Sequence, residues 1–117
     1  MALLVDDDLM VRMSTADMLA DLGYAVIEAD TAEEALRLIQ DGVEPNVVVS
    51  DHLMPGMSGT QLTRELRMRR PALPVLIVSG FAEEEGIDAD IPRLTKPFRS
   101  AELAASLWAL SPPRADA

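Results

Sequence analysis

The apolar positions of this chain alternate between short unbroken clusters and longer stretches where they recur every three or four residues. The clusters "ALLVD" (2–6), "AVIEA" (25–29), "NVVVSD" (46–51) and "PVLIVS" (74–79) predict strands, and "PRLT" (92–95) predicts a weaker fifth. The third is apolar without alternation, so both of its faces must be covered, as in a parallel sheet between helix layers. The periodic stretches predict helices. One runs over 9–22 and stops at Gly23. Thr31 with Glu34 has the spacing of a capping box and opens a helix to about Asp41, where Gly42 ends it. Ser58 with Gln61 repeats that spacing and opens a helix to about Arg70. A last helix starts at Ser100, with Leu103, Leu107 and Leu110 on one face. Such βα units predict an α/β fold, a doubly wound parallel sheet in a three-layer αβα sandwich. Segment 81–91 breaks the rhythm, since it has room for only one or two helical turns, so the fourth helix is expected to be shortened. Residues 1–110 are expected to form one domain and 111–117 a disordered tail.

Composition narrows the function classes. The 117 residues suit a single core. That core must be aliphatic, because only Tyr24, Phe81, Phe98 and Trp108 are aromatic. Twenty acidic against ten basic side chains give a formal charge of −10, a field that repels phosphate backbones and anionic membranes. Direct binding to nucleic acid or membrane is therefore not expected. There is no cysteine, hence no disulfide or thiolate chemistry. No apolar run approaches the ~20 residues of a membrane span, and a cytoplasmic location is the default expectation.

The candidate chemistry lies at strand ends. Asp6, Asp7 and Asp8 follow the first strand and Asp51 the third. In a doubly wound sheet of order 2-1-3-4-5, strands one and three are neighbours at the switch point, where ligands bind outside the strand ends. Asp6, Asp7 and Asp51 should converge there, with Ser79 from strand four and Lys96 from strand five at the same edge. Crowded carboxylates repel, and a divalent cation relieves them; an all-oxygen site suits Mg²⁺. A carboxylate beside a cation, an ammonium and a hydroxyl is equipped to accept a phosphoryl group, with Asp51 as the nucleophile.

The motifs "VDDD" at 5–8, "SDHLMPGMSG" at 50–59, "VSG" at 78–80 and "TKPF" at 95–98, in this order and on these elements, resemble the receiver domain of bacterial two-component response regulators. The resemblance extends to Trp108 and implies a flavodoxin-like sheet of order 2-1-3-4-5. It implies that Asp51 takes a phosphoryl group from a phosphohistidine on a histidine kinase or histidine phosphotransfer protein. Asp7, Asp51 and the backbone carbonyl of Leu53 would ligate Mg²⁺ directly, with Asp6 helping through water. Ser79 would stand at the switch position, Lys96 would pair with the phosphoryl group, and the bond to Pro97 would be cis. No enzymatic turnover is implied beyond slow loss of the phosphoryl group.

The first helix is apolar on more than one side. Val11, Thr15, Met18, Leu19 and Leu22 form one stripe; Leu9, Met13, Ala16 and Ala20 form another. The resemblance turns the first stripe to the sheet and leaves Met10, Met13, Ser14 and Asp17 near a docking partner, beside Phe98 and Arg99. Receivers usually carry Tyr or Phe three residues before the lysine; here Arg93 stands there, and Phe81 is the nearest aromatic substitute. The positions that tune hydrolysis in the family are Leu53 and Phe81, both apolar, so a long-lived phosphorylated form is expected. Simpler roles are expected for several neighbours. Asp8 reads as a helix N-cap, His52 as a solvated loop imidazole and Phe81 as packing. Met10, Met13 and Met18 read as core fillers, and Glu83–Glu85 as a solvated face. Two other functions fit in outline: an interaction module never phosphorylated, and a metal-dependent phosphatase with an aspartate nucleophile. The second would want another Asp two residues after the nucleophile and more chain than 117 residues provide.

Overall fold

A computed structural model describes residues 1–80 and 86–110. Its elements are β1 (Ala2–Val5), α1 (Leu9–Asp21), β2 (Val26–Ala29), α2 (Ala32–Gln40), β3 (Val47–Asp51), α3 (Gly59–Arg69), β4 (Val75–Gly80), β5 (Arg93–Lys96) and α4 (Ser100–Leu110). All strand pairs are parallel, in the order β2-β1-β3-β4-β5. The doubly wound sheet is the one expected from the sequence, with ends shifted by a residue.

Alternate side chains of the sheet feed two cores. Leu3, Val5 and Val48 face α2 and α3, meeting Ala35, Ile39, Leu62 and Leu66. Leu4, Val49, Leu76 and Val78 face α1 and α4, meeting Leu19, Leu103 and Leu107. Both faces of the central strands are thus covered, which is why β3 carries no polar alternation. On α1 the sheet side is formed by buried Thr15 and Leu19, with Ala16 and Met18 packed partly against the core. Leu22, assigned to the sheet-facing stripe, caps the helix instead and is exposed, while Ala16 from the other stripe turns inward.

The helix starts follow local chemistry. Asp8 caps α1, its carboxylate accepting from the N–H groups of Met10 (3.0 Å) and Val11 (3.2 Å). Ser58 and Gln61 form a complete capping box. At α2 only half the box exists: Thr31 Oγ1 accepts from Glu34 N–H at 3.0 Å, while the Glu34 carboxylate lies 4.0 Å from Arg37.

Between β4 and β5, residues 86–92 form turns and no helix. The shortened helix expected over 81–91 falls partly on 81–85, outside the described residues, as do the tail 111–117, Phe81 and Glu83–Glu85. Ile87 and Ile91 cover Ile77 of the sheet, a third small cluster beside the two main cores. At the other end of the molecule, exposed Trp108 of α4 lies in a shallow groove with Leu22 and Tyr24.

Candidate phosphoacceptor site

The strand register assembles the acidic edge. Val5 lies opposite Ser50 across β1 and β3, so one residue further Asp6 faces Asp51. Across β4 and β5, Ser79 lies opposite Thr95 and Gly80 opposite Lys96. Asp6, Asp7 and Asp51 each offer a carboxylate oxygen, all within 4.8 Å of one another. Lys96 Nζ is 3.0 Å from Asp51 Oδ1 and 3.7 Å from Asp6 Oδ2. The peptide bond from Lys96 to Pro97 is cis.

The backbone holds the two buried acids in place. Asp6 Oδ1 accepts from Asp8 N–H at 2.9 Å, and Arg12 donates to the Asp6 carbonyl at 2.8 Å. His52 N–H donates to Asp51 Oδ1 at 3.0 Å. Gly59 N–H reaches back to the His52 carbonyl at 2.7 Å, which seats the start of α3 on the end of β3. A Cβ at 59 would collide with the Asp51 carbonyl oxygen, so only glycine permits that approach.

Burial pushes the Asp51 carboxyl above its ordinary value; the Lys96 hydrogen bond opposes this without cancelling it. Burial also raises Asp6, against the pull of the Asp8 N–H and Lys96. Three carboxylates against one ammonium leave an excess of negative charge in a half-dry cleft. An all-oxygen donor set with that excess fits a hard divalent cation. Ser79 is wholly buried, and its Oγ has no hydrogen-bond partner among the described residues, as a hydroxyl reserved for an incoming acceptor would be.

The remaining sequence-predicted residues divide. Met10, Ser14 and Phe98 line one groove of about 500 Å³ with Lys96 and Pro97, immediately beside the acids. Met13, Asp17 and Arg99 lie outside its lining, though all three are exposed. Met10 and Met13 are 75% and 53% exposed, so neither fills the core as expected; Met18 does so in part. The Leu53 side chain faces solvent. His52, expected to be solvated, is 3% exposed. Arg93, at the position where receivers usually carry an aromatic ring, donates to the Asp88 carbonyl at 2.7 Å and so anchors the turn.

Sequence and structure comparisons point to one family. The family profile described as "Response regulator receiver domain" matches residues 2–107. The sensor kinase CckA of Brucella abortus is 40% identical over 111 residues, covering 90% of this chain and 12% of that protein. The response regulator MprA of Mycobacterium sp. (strain KMS) is 38% identical over 113 residues, covering 92% of this chain and 49% of that protein. Among solved structures, a response regulator receiver protein from Sinorhizobium medicae superposes with a TM-score of 0.84 at 29% identity, covering 93% of this chain and 91% of that one. The receiver domain of the hybrid histidine kinase CckA gives 0.79 at 30% identity, covering 93% and 96%. Fold and site together define a receiver of two-component signalling. The chain belongs to the response regulator receiver domain family. It spans half or less of the length of the curated relatives named here. Receivers are signalling domains rather than ordinary enzymes, and no helix among the described residues is long and apolar enough to cross a membrane.

Proposed function

We propose that this chain accepts a phosphoryl group on Asp51 from a phosphohistidine. The observation that carries the reading is the Asp51 carboxylate at the end of β3, 3.0 Å from Lys96 and grouped with Asp6 and Asp7. An Asp51 carboxylate oxygen attacks phosphorus as the N–P bond of the donor breaks. The imidazole nitrogen leaves with the bonding pair, its ring neutral because the other nitrogen keeps a proton. The product is an acyl phosphate. Lys96 meets the charge of the transferred oxygens, and the Ser79 hydroxyl donates to one of them. Asp7, Asp51 and the Leu53 carbonyl would hold Mg²⁺ directly and Asp6 through water; when bound, the ion neutralises charge on the transferring group.

The exposed apolar groove at Met10, Ser14 and Phe98 supports a histidine kinase or histidine phosphotransfer protein as partner, docked across α1 and the loop before α4. Met13, Asp17 and Arg99, exposed outside its lining, would extend the docking face. Neither nucleic acid nor membrane is a direct partner, given the charge of −10. The chain acts in the cytoplasm, where such donors carry their phosphohistidines.

Incubation with acetyl phosphate and Mg²⁺, followed by intact mass, tests the assignment. The native chain should gain and hold one phosphoryl group, and Asp51→Asn should gain none. Labelling of Asp51→Asn at the native rate refutes the assignment. Sustained turnover without retained label would indicate a phosphatase, and no reaction an interaction module alone.

A further inference from the structure

We propose that Arg12 is a positioning residue for the cation, holding the peptide between Asp6 and Asp7 so that Asp7 presents its carboxylate in one direction; this rests on the phosphoacceptor reading above. The Asp6 N–H still donates to the Ala29 carbonyl at the end of β2, at 3.1 Å. The Asp6 carbonyl instead meets a side chain, with Arg12 Nη1 donating to it at 2.8 Å. A peptide unit is planar and turns as one body, so fixing its oxygen fixes the exit of the chain towards Asp7. The peptide on the other side of Asp7 is held as well, because the Asp8 N–H donates to Asp6 Oδ1 at 2.9 Å. Asp7 is exposed, unlike the buried Asp6 and Asp51 with which it is grouped. Packing does not place an exposed carboxylate. The two flanking peptides do.

Arg12 is itself held in place. It sits in the first turn of α1, where its N–H donates to the Asp8 carbonyl at 2.8 Å. Its Nε donates to Glu28 Oε1 of β2 at 3.0 Å, while Nη1 reaches the Asp6 carbonyl. These bonds leave different nitrogens of one rigid plane, so Glu28 sets the aim of that plane. Lysine would keep the charge, but as a point on a flexible stem without the rigid fork. Charge and geometry can therefore be separated at this position. Losing a partner that orients a metal ligand without touching the metal weakens affinity about 10- to 100-fold.

The test uses the full chain, native, Arg12→Lys and Glu28→Ala. Mg²⁺ is titrated without a phosphodonor and followed by the amide NMR shifts of Asp7 and Asp8, with thermal melts in metal-free buffer as the folding control. Arg12→Lys should keep a cooperative melt yet bind Mg²⁺ about tenfold more weakly. Its labelling by acetyl phosphate should be slow at low Mg²⁺ and return to the native rate at saturation, which a disrupted site would not do. A folded Arg12→Lys chain with native Mg²⁺ affinity overturns the proposal, as does labelling that stays slow at saturating Mg²⁺. If Arg12→Lys is unfolded, Glu28→Ala carries the test, because the Glu28 side chain is 43% exposed against 15% for Arg12. Losing its bond should weaken Mg²⁺ about threefold, the size of an exposed ion pair, and native affinity there overturns the proposal. A native chain that binds no Mg²⁺ overturns this proposal and the cation site together. One that binds Mg²⁺ but takes no label overturns the phosphoacceptor reading alone, and the titration still decides for or against Arg12.

Discussion

Asp51 is held as a charged group in a place that disfavours charge. Its carboxyl is raised by burial, so the folded chain holds that proton more tightly than the unfolded chain does. The ionised form therefore costs stability at neutral pH, and the cost disappears below the unfolded carboxylate value of about 4. In metal-free buffer Asp51→Asn should melt above the native chain at pH 7, with the gap closing as pH falls through that range. Thermal melts from pH 7 to 3 measure this, and a gap that widened on acidification would contradict it. Leu53 carries a second prediction. Its side chain is exposed and apolar, unable to orient an attacking water, so Leu53→Asn should shorten the phosphorylated lifetime about tenfold, less than the ~10²-fold at the low end for a fully positioned proton-transfer group. The decay of the mass-shifted species after donor removal gives the answer. Asp6 and Asp51 were legible in the sequence because each ends an apolar run, and Lys96 because it ends the weaker fifth strand; strand register carries such ends to one edge. His52 was not legible. It reads as a solvated loop imidazole, and no local period encodes its burial.

Among the elements, α1 shows where sequence patterning loses resolution. A helix apolar on several sides has no single stripe to choose, and Leu22 and Ala16 exchanged their expected roles for that reason. The caps at Asp8 and Ser58 were legible because they are local hydrogen-bond chemistry, complete within four residues. Thr31 gave the helix start correctly, yet its partner Glu34 does not complete the box, a choice that spacing alone does not decide. What α1 leaves outward is chemically plain: Met10 and Ser14 beside Phe98, next to the acids. Replacing Met10 and Ser14 together by Glu should slow phosphoryl transfer from a phosphohistidine protein about tenfold or more, as loss of a well-packed interface anchor does. The rate with acetyl phosphate should hold, because that donor needs no docking. Parallel rate measurements with both donors decide, and equal losses would refute the docking face.

On the scale of the molecule, the chain has two poles. The strand C-termini gather Asp6, Asp7, Asp51 and Lys96 at one, while α4 runs back from Ser100 towards the other. The doubly wound sheet was legible because unbroken apolar strands separated by capped helices admit few architectures. The β4–β5 connection was legible only as an anomaly of length, since its anchors at Arg64 and Arg67 are long-range ion pairs and the nearer one at Arg93 is a hydrogen bond that no periodic pattern marks. The polarity has an optical consequence. Trp108, the single indole, is 63% exposed and about 12 Å of helix beyond Ser100, among Leu22 and Tyr24 at the pole remote from the acids. Its emission should be that of a water-exposed fluorophore, quenched readily by acrylamide and constant throughout a Mg²⁺ titration. A fluorimeter would therefore remain blind to events at Asp51.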